Sequence, residues 1–314
     1  MFNLVGVAFL LLGVGPAGAN MIIVPTYDTT INNDPNATII KSTIQTAINF
    51  YEFTFADNIT VNITFQEGGG LGGSSFNLFT VSYAAFHAAL MADATSADDA
   101  TALARLAADG SGATNPVTGS SVVVIKAPNA KALGFNVPQA SDGTITLNTS
   151  LTTPGSSSSS SQYSLLAVAE HEIDEILGLG STLGLALAAP LNNDPSPEDF
   201  FRFTAGNVRS FSLPSNNNVF FSLDGATNLV GFNNPGCDHC SDYGDWATST
   251  TKRVQDAIST PGVFPAMGVE VVALDVIGYD LAVPEPSTGV MVLGGLLLAS
   301  GLKKAYKSFV EFLS

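Results

Sequence analysis

The stretch 164–181, Ser-Leu-Leu-Ala-Val-Ala-Glu-His-Glu-Ile-Asp-Glu-Ile-Leu-Gly-Leu-Gly-Ser, constrains this chain more than any other. At about 100° per residue, Leu166, Ala169, Ile173, Ile176 and Leu177 fall on one side of a helix, and His171, Asp174, Glu175 and Gly178 on the other. The pattern predicts an amphipathic helix whose titratable face turns away from the core. His171 and Glu175 are one turn apart, so both can reach a single cation. Glu172 lies to the side, placed to reach a water on that cation without binding the cation itself. Gly178 and Gly180 end the helix, because glycine accepts the left-handed backbone that turns a chain back.

Around this helix the chain reads as a globular α+β protein. Of 314 residues, 46% are hydrophobic and 12% charged, which excludes a disordered polyelectrolyte. After a β-rich run at 21–27, residues Ile39, Ile40, Ile44, Ala47 and Ile48 recur at helical spacing, and 59–65 alternates apolar with polar. The glycine-rich 68–75 lacks a following Gly-Lys-Ser/Thr and reads as a turn. A helical stretch follows over 82–107, carrying His87 as a structural histidine. Residues 121–126 read as a buried strand, 143–148 as an alternating one, and 155–161 as a flexible serine connector. Beyond 181 the chain is rich in loops, marked by Glu198, Asp199, Asp242 and Asp245, and a packed helix closes it at 269–280.

The termini carry a different signal. An apolar run over 4–14, followed by Ala17-Gly18-Ala19, fits a secretory signal peptide over 1–19 and implies export. Val283-Pro-Glu-Pro-Ser-Thr precedes an apolar run over 289–302 and then Lys303, Lys304 and Lys307. That run is shorter than the ~20 residues of a usual membrane span. The net charge of −16 falls on the part between these ends, since three of the chain's 11 basic residues sit in the tail. Such a surface repels nucleic acid and attracts cations. The two cysteines, Cys237 and Cys240, are spaced Cys-x-x-Cys, which in an exported chain reads as a small disulfide-closed loop; with His239 between them, local metal binding is the alternative.

His171-Glu172-x-x-Glu175, flanked by Val168-Ala169 and Leu177-Gly178-Leu179-Gly180, resembles the zinc helix of the metzincin metalloproteases, and the strand–helix–strand opening resembles the first half of their catalytic domain. Glu175 stands where that family has its second histidine, and Ser181 where it has its third. The tail resembles a PEP-CTERM sorting signal of Gram-negative bacteria. Together these features resemble a family of bacterial metalloproteases with such tails.

The resemblance implies a zincin domain over 20–282, with a twisted mixed sheet and an active-site helix in 20–181 and a loop-rich subdomain in 182–282. A sorting segment over 283–307 and a tail over 308–314 would follow it. It implies one zinc per chain on His171, Glu175 and a downstream ligand, His239 first, with Asp199, Asp242 and Asp245 as alternatives. Glu172 would be the general base, Met267 would supply a methionine turn below the metal, and 143–148 would be the edge strand that pairs with an extended peptide. The partners it implies are a polypeptide substrate, an exosortase-type sorting machinery at the tail, and transient inner-membrane contact through 289–302. The missing histidines also admit a non-catalytic exported surface or matrix protein on the same scaffold. No Gly-x-Ser-x-Gly is present to support a serine hydrolase.

Overall fold

The computed structural model describes residues 21–282 apart from 111–112, 139, 156–159, 185–193, 215–217 and 235–241. The signal and sorting segments at 1–19 and 283–314 therefore lie outside the described residues, as do His239, Cys237 and Cys240. No described helix is long and apolar enough to cross a membrane.

The chain opens with β1 (Ile22–Tyr27), a short α1 (Thr29–Asn32), α2 (Ala37–Thr54) and β2 (Thr60–Glu67). In α2 the buried residues Ile40, Thr43, Ile44, Ala47, Ile48 and Tyr51 repeat at intervals of three and four, which gives the helix one continuous inner stripe. β2 buries Val61, Ile63 and Phe65 in strict alternation, so one face of its sheet is core.

Next come β3 (Gly72–Phe76), β4 (Leu78–Ser82), α3 (Tyr83–Asp93), α4 (Ala97–Asp109), β5 (Val122–Lys126), α5 (Ala127–Ala132), β6 (Gly143–Leu147) and the two-residue strands β7 (Thr152–Thr153) and β8 (Tyr163–Ser164). The main sheet runs β1-β2-β6-β3; its first three strands are parallel and β3 is antiparallel. α6 (Leu165–Leu177) packs against β3 and β6 and beside α2. β4 and β5 form an antiparallel pair of their own, and β7 pairs β8 in parallel.

After α6, a 3-10 helix (Pro197–Phe201) leads into β9 (Arg202–Thr204), β10 (Val208–Arg209), β11 (Phe220–Phe221) and β12 (Val230–Gly231), an antiparallel sheet in the order β10-β9-β11-β12. α7 (Val269–Val276) closes the fold, and all these elements lie in one compact unit that ends at Leu281. The protein is thus α+β with a twisted mixed sheet.

Four expectations need correction. The glycine-rich 68–75 is not simply a turn, because Gly72–Phe76 pairs along its length with β6. Consequently β6 lies between β2 and β3 and is not the edge; β3 is. The helical stretch over 82–107 is two helices, broken where Ser96 caps α4 and exchanges hydrogen bonds with Asp99. Finally, the titratable residues of α6 do not all turn away from the core: Ala167, His171 and Glu175 form a half-buried stripe, whereas Glu170, Glu172 and Asp174 are buried with the apolar residues, and Asp174 is 0% exposed.

Candidate metal centre

Local chemistry fixes both ends of α6. Ser164 Oγ accepts a hydrogen bond from the Ala167 N–H at 3.1 Å, and the Gly178 and Leu179 N–H groups both return to the Asp174 carbonyl at 3.0 Å. Gly180, at φ 106°, is crowded as well as left-handed: a Cβ there would stand 2.9 Å from Asp242 Oδ2 and 3.1 Å from Lys126 Nζ.

Three ligand atoms converge beside the helix. His171 Nε2 lies 3.7 Å from Glu175 Oε1 and 3.7 Å from Asp245 Oδ1. These separations are too long for hydrogen bonds. They are close to the ~3.4 Å between donors placed ~2.1 Å from a tetrahedral centre. The His171–Glu175–Asp245 cluster can hold a metal ion.

Each side chain of the cluster is oriented from behind. His171 Nδ1 is 3.0 Å from the Val254 carbonyl, which can only accept, so Nδ1 carries the hydrogen and Nε2 turns its lone pair towards the two carboxylates. Ser74 Oγ, on the edge strand β3, donates to Glu175 Oε2 at 2.5 Å, and Gln255 Nε2 donates to Asp245 Oδ1 at 3.1 Å. Asp245 is itself held by chain pairing: its carbonyl accepts from Asn233 N–H, and the neighbouring Trp246, fully buried, pairs its backbone with Gln255 and Ala257.

A lone pair facing two carboxylates is repulsive unless a cation lies between them. Burial opposes the His171 cation, but the Glu175 and Glu172 carboxylates outweigh it and raise the His171 pKa above its ordinary value. Burial raises the Asp245 carboxyl well above the usual range, with the nearby charges of Asp242 and Glu175 adding to it. The centre therefore gathers protons when no other cation is there.

Glu172 completes the arrangement. It is buried, one carboxylate oxygen has no hydrogen-bond partner among the described residues, and burial plus the Glu175 charge push its pKa up to about 9. A cavity of about 160 Å³ opens beside it, lined by Leu71, Gly72, His171 and Glu172 among others. Gly72 keeps that space: a Cβ there would meet Glu172 Oε1 at 2.3 Å and Val168 Cγ1 at 2.7 Å. The sheet's edge strand and the buried glutamate thus share one cavity.

The other expected site residues are placed as follows. Asp199 binds Ser181 Oγ and the Ser196 N–H and hydroxyl, so it caps the 3-10 helix and does not join the centre. Asp242 accepts from the Ser181 and Gly244 N–H groups at 2.8 and 2.6 Å. Met267 Sδ stands 4.0 Å from the Tyr51 hydroxyl, which also reaches Asp174 Oδ1 and the Glu170 carbonyl, each at 2.8 Å. His87 packs 5.9 Å from the Tyr83 ring.

Sequence reasoning passed over Lys126. Its amine is buried, donates to the Leu179 carbonyl at 2.5 Å and lies 3.9 Å over the Phe76 ring. Burial lowers its pKa, while Glu175 and Asp242 work to keep it charged. A lysine ending a β-run, Val-Val-Val-Ile-Lys, was its only trace in the sequence.

No family model, curated protein or solved structure matches this chain.

Proposed function

We propose that the protein is an exported, zinc-dependent endopeptidase of metzincin-like type, with the ion on His171, Glu175 and Asp245 and with Glu172 as general base. The observation that carries this reading is the convergence of one imidazole and two carboxylates beside a cavity that also holds a buried glutamate, one of whose oxygens has no hydrogen-bond partner among the described residues. One nitrogen and two oxygen donors suit zinc and accept manganese. Bound there, such an ion polarises a carbonyl and makes a water acidic enough to attack near neutral pH.

The chain's own groups supply the rest. Edge strand β3 offers unpaired backbone groups to an extended peptide, which would lie across the cavity that Leu71 and Gly72 line. Glu172 takes a proton from the attacking water and returns it to the leaving amine, a role worth roughly 10²–10⁴-fold. Burial is the main cause of the raised Glu172 pKa and the Glu175 charge the second, so a cation on Glu175 would remove the smaller of the two and favour the ionised base. Ser74 and Gln255 keep the two carboxylate ligands aimed.

The second reading is a non-catalytic surface or biofilm-matrix protein on the same scaffold. It is favoured by Glu172 holding its proton at neutral pH when no cation neutralises Glu175. Elemental analysis of the purified protein, wild type beside His171→Ala, separates the two at the first step. About one zinc or manganese per chain, absent from the mutant, supports the enzyme. A folded wild type without transition metal rejects it.

A further inference from the structure

The strongest unexplained feature lies away from the metal centre, where α4 ends against the β9–β10 hairpin. Arg105 and Arg209 both stack on Phe203, their guanidinium carbons 5.3 and 4.5 Å from the ring centre. Between them is one carboxylate: Asp109 Oδ1 is 2.9 Å from Arg105 Nη2, and Asp109 Oδ2 is 2.9 Å from Arg209 Nε. Arg105 Nη2 also donates to the Asn207 carbonyl at 2.6 Å. Two permanent cations therefore share one anion.

The donors left over are the telling part. Arg209 is only 7% exposed, yet both of its terminal nitrogens lack a hydrogen-bond partner among the described residues, as do Arg105 Nε and the Tyr83 hydroxyl. Asp109 satisfies only the Nε of Arg209, so the N–H groups of its two buried terminal nitrogens have lost water without gaining an acceptor, which is unfavourable. Burial lowers the Arg209 pKa to about 10, and Asp109 is the acid that opposes the shift. A cavity of about 280 Å³ opens here, lined by Arg105, Asp109, Asn207 and Arg209 among others. In a chain with 27 acidic and 11 basic residues, a surplus positive charge at a cavity stands out.

We infer that this cavity is a binding site for one small oxyanion, a carboxylate or a phosphate-type group, held by the free fork of Arg209 with Arg105 beside it. The two terminal nitrogens of a guanidinium present parallel N–H bonds that match a pair of oxyanion oxygens. The net charge of −16 repels an extended polyanion, which limits the ligand to a small one.

The test is calorimetric titration of the full chain with sodium phosphate, sodium sulfate and sodium acetate at matched ionic strength, beside thermal melts in the same salts with sodium chloride as baseline. The expected result is one anion per chain and a melting temperature that climbs with its concentration. Phosphate or sulfate binding above acetate assigns a phosphate-type ligand, and the reverse assigns a carboxylate. Arg209→Gln should abolish binding, and Arg105→Gln should weaken it about tenfold, the loss of one charged donor. Should Arg209→Gln fail to fold, Arg105→Gln decides alone, because its side chain is partly exposed. No heat and no melting shift beyond chloride in the wild type, or an equal response from Arg105→Gln and wild type, overturns the inference.

Discussion

Two of the places where the chain gathers acid behave differently. One is the centre on α6, where Glu172, Glu175 and Asp245 face His171. The other is a corner between α3, α4 and the end of α7, where Asp57, Asp93, Asp99, Asp275 and Asp280 gather. In that corner the carboxylates are spent on neighbours: Asp99 accepts from the Thr95 and Ser96 N–H groups, Asp275 from Ser96 Oγ, Asp280 from Thr95 Oγ1 and Asp57 from the Asp280 N–H. Among the described residues, no ion pair reaches any of them. Burial, then mutual repulsion, raises Asp57 and Asp93 to about 7. Acid alone answers crowding by keeping protons. Acid arranged around an imidazole whose back is tied to a carbonyl offers donors to a metal.

The largest effect that can break this comparison is on turnover. Glu172→Gln should lower peptide hydrolysis by roughly 10²–10⁴-fold while bound metal stays at the wild-type level. Asp57→Asn, made in the corner, should leave turnover unchanged. A Glu172→Gln protein as fast as wild type would remove the base from the proposed mechanism.

A smaller effect tests the support behind the ligands. Ser74→Ala removes the hydroxyl that aims Glu175, and metal affinity measured by chelator competition should fall by about 10-fold or somewhat more. Ser96→Ala deletes the hydroxyl bound to Asp275 and leaves metal affinity unmoved. Equal affinity in Ser74→Ala and wild type would mean that Glu175 is not a ligand.

How much of this was legible in the sequence depends on whether the deciding contact was local. α6 and its glycine stop could be read directly, because periodicity and helix termination are properties of neighbouring residues. The β1–α2–β2 opening was legible for the same reason. Strand β3 was hidden: Gly-Gly-Ser-Ser has little strand propensity, and its pairing with β6 and its approach to Glu172 are tertiary facts. Asp174 was misplaced because an acid on a helix reads as solvated, and the Tyr51 hydroxyl that accommodates it is 123 residues away. Asp245 could be named only as one of several downstream carboxylates. Its selection rests on the pairing of Asn233 and Gln255 around Trp246, which no spacing rule encodes.

The smallest effect separates the two places by pH. Asp57, Asp93 and Asp275 have folded-state pKa values of about 7, against roughly 3.9 for an unfolded aspartate. The folded state therefore binds these protons more tightly than the unfolded chain does. Their contribution to stability is complete below about pH 4 and is lost as pH rises through about 7. The melting temperature of the metal-free protein should thus fall between pH 5 and pH 8. The centre on α6 loses protons in the same sense, so the wild-type slope alone does not locate the effect. Asp57→Asn does: it removes one titrating group from the corner, leaves the centre intact and should make the slope shallower. Partial exposure of Asp93 limits the expected change to a few degrees. Superimposable slopes for mutant and wild type would show that Asp57 does not titrate on folding.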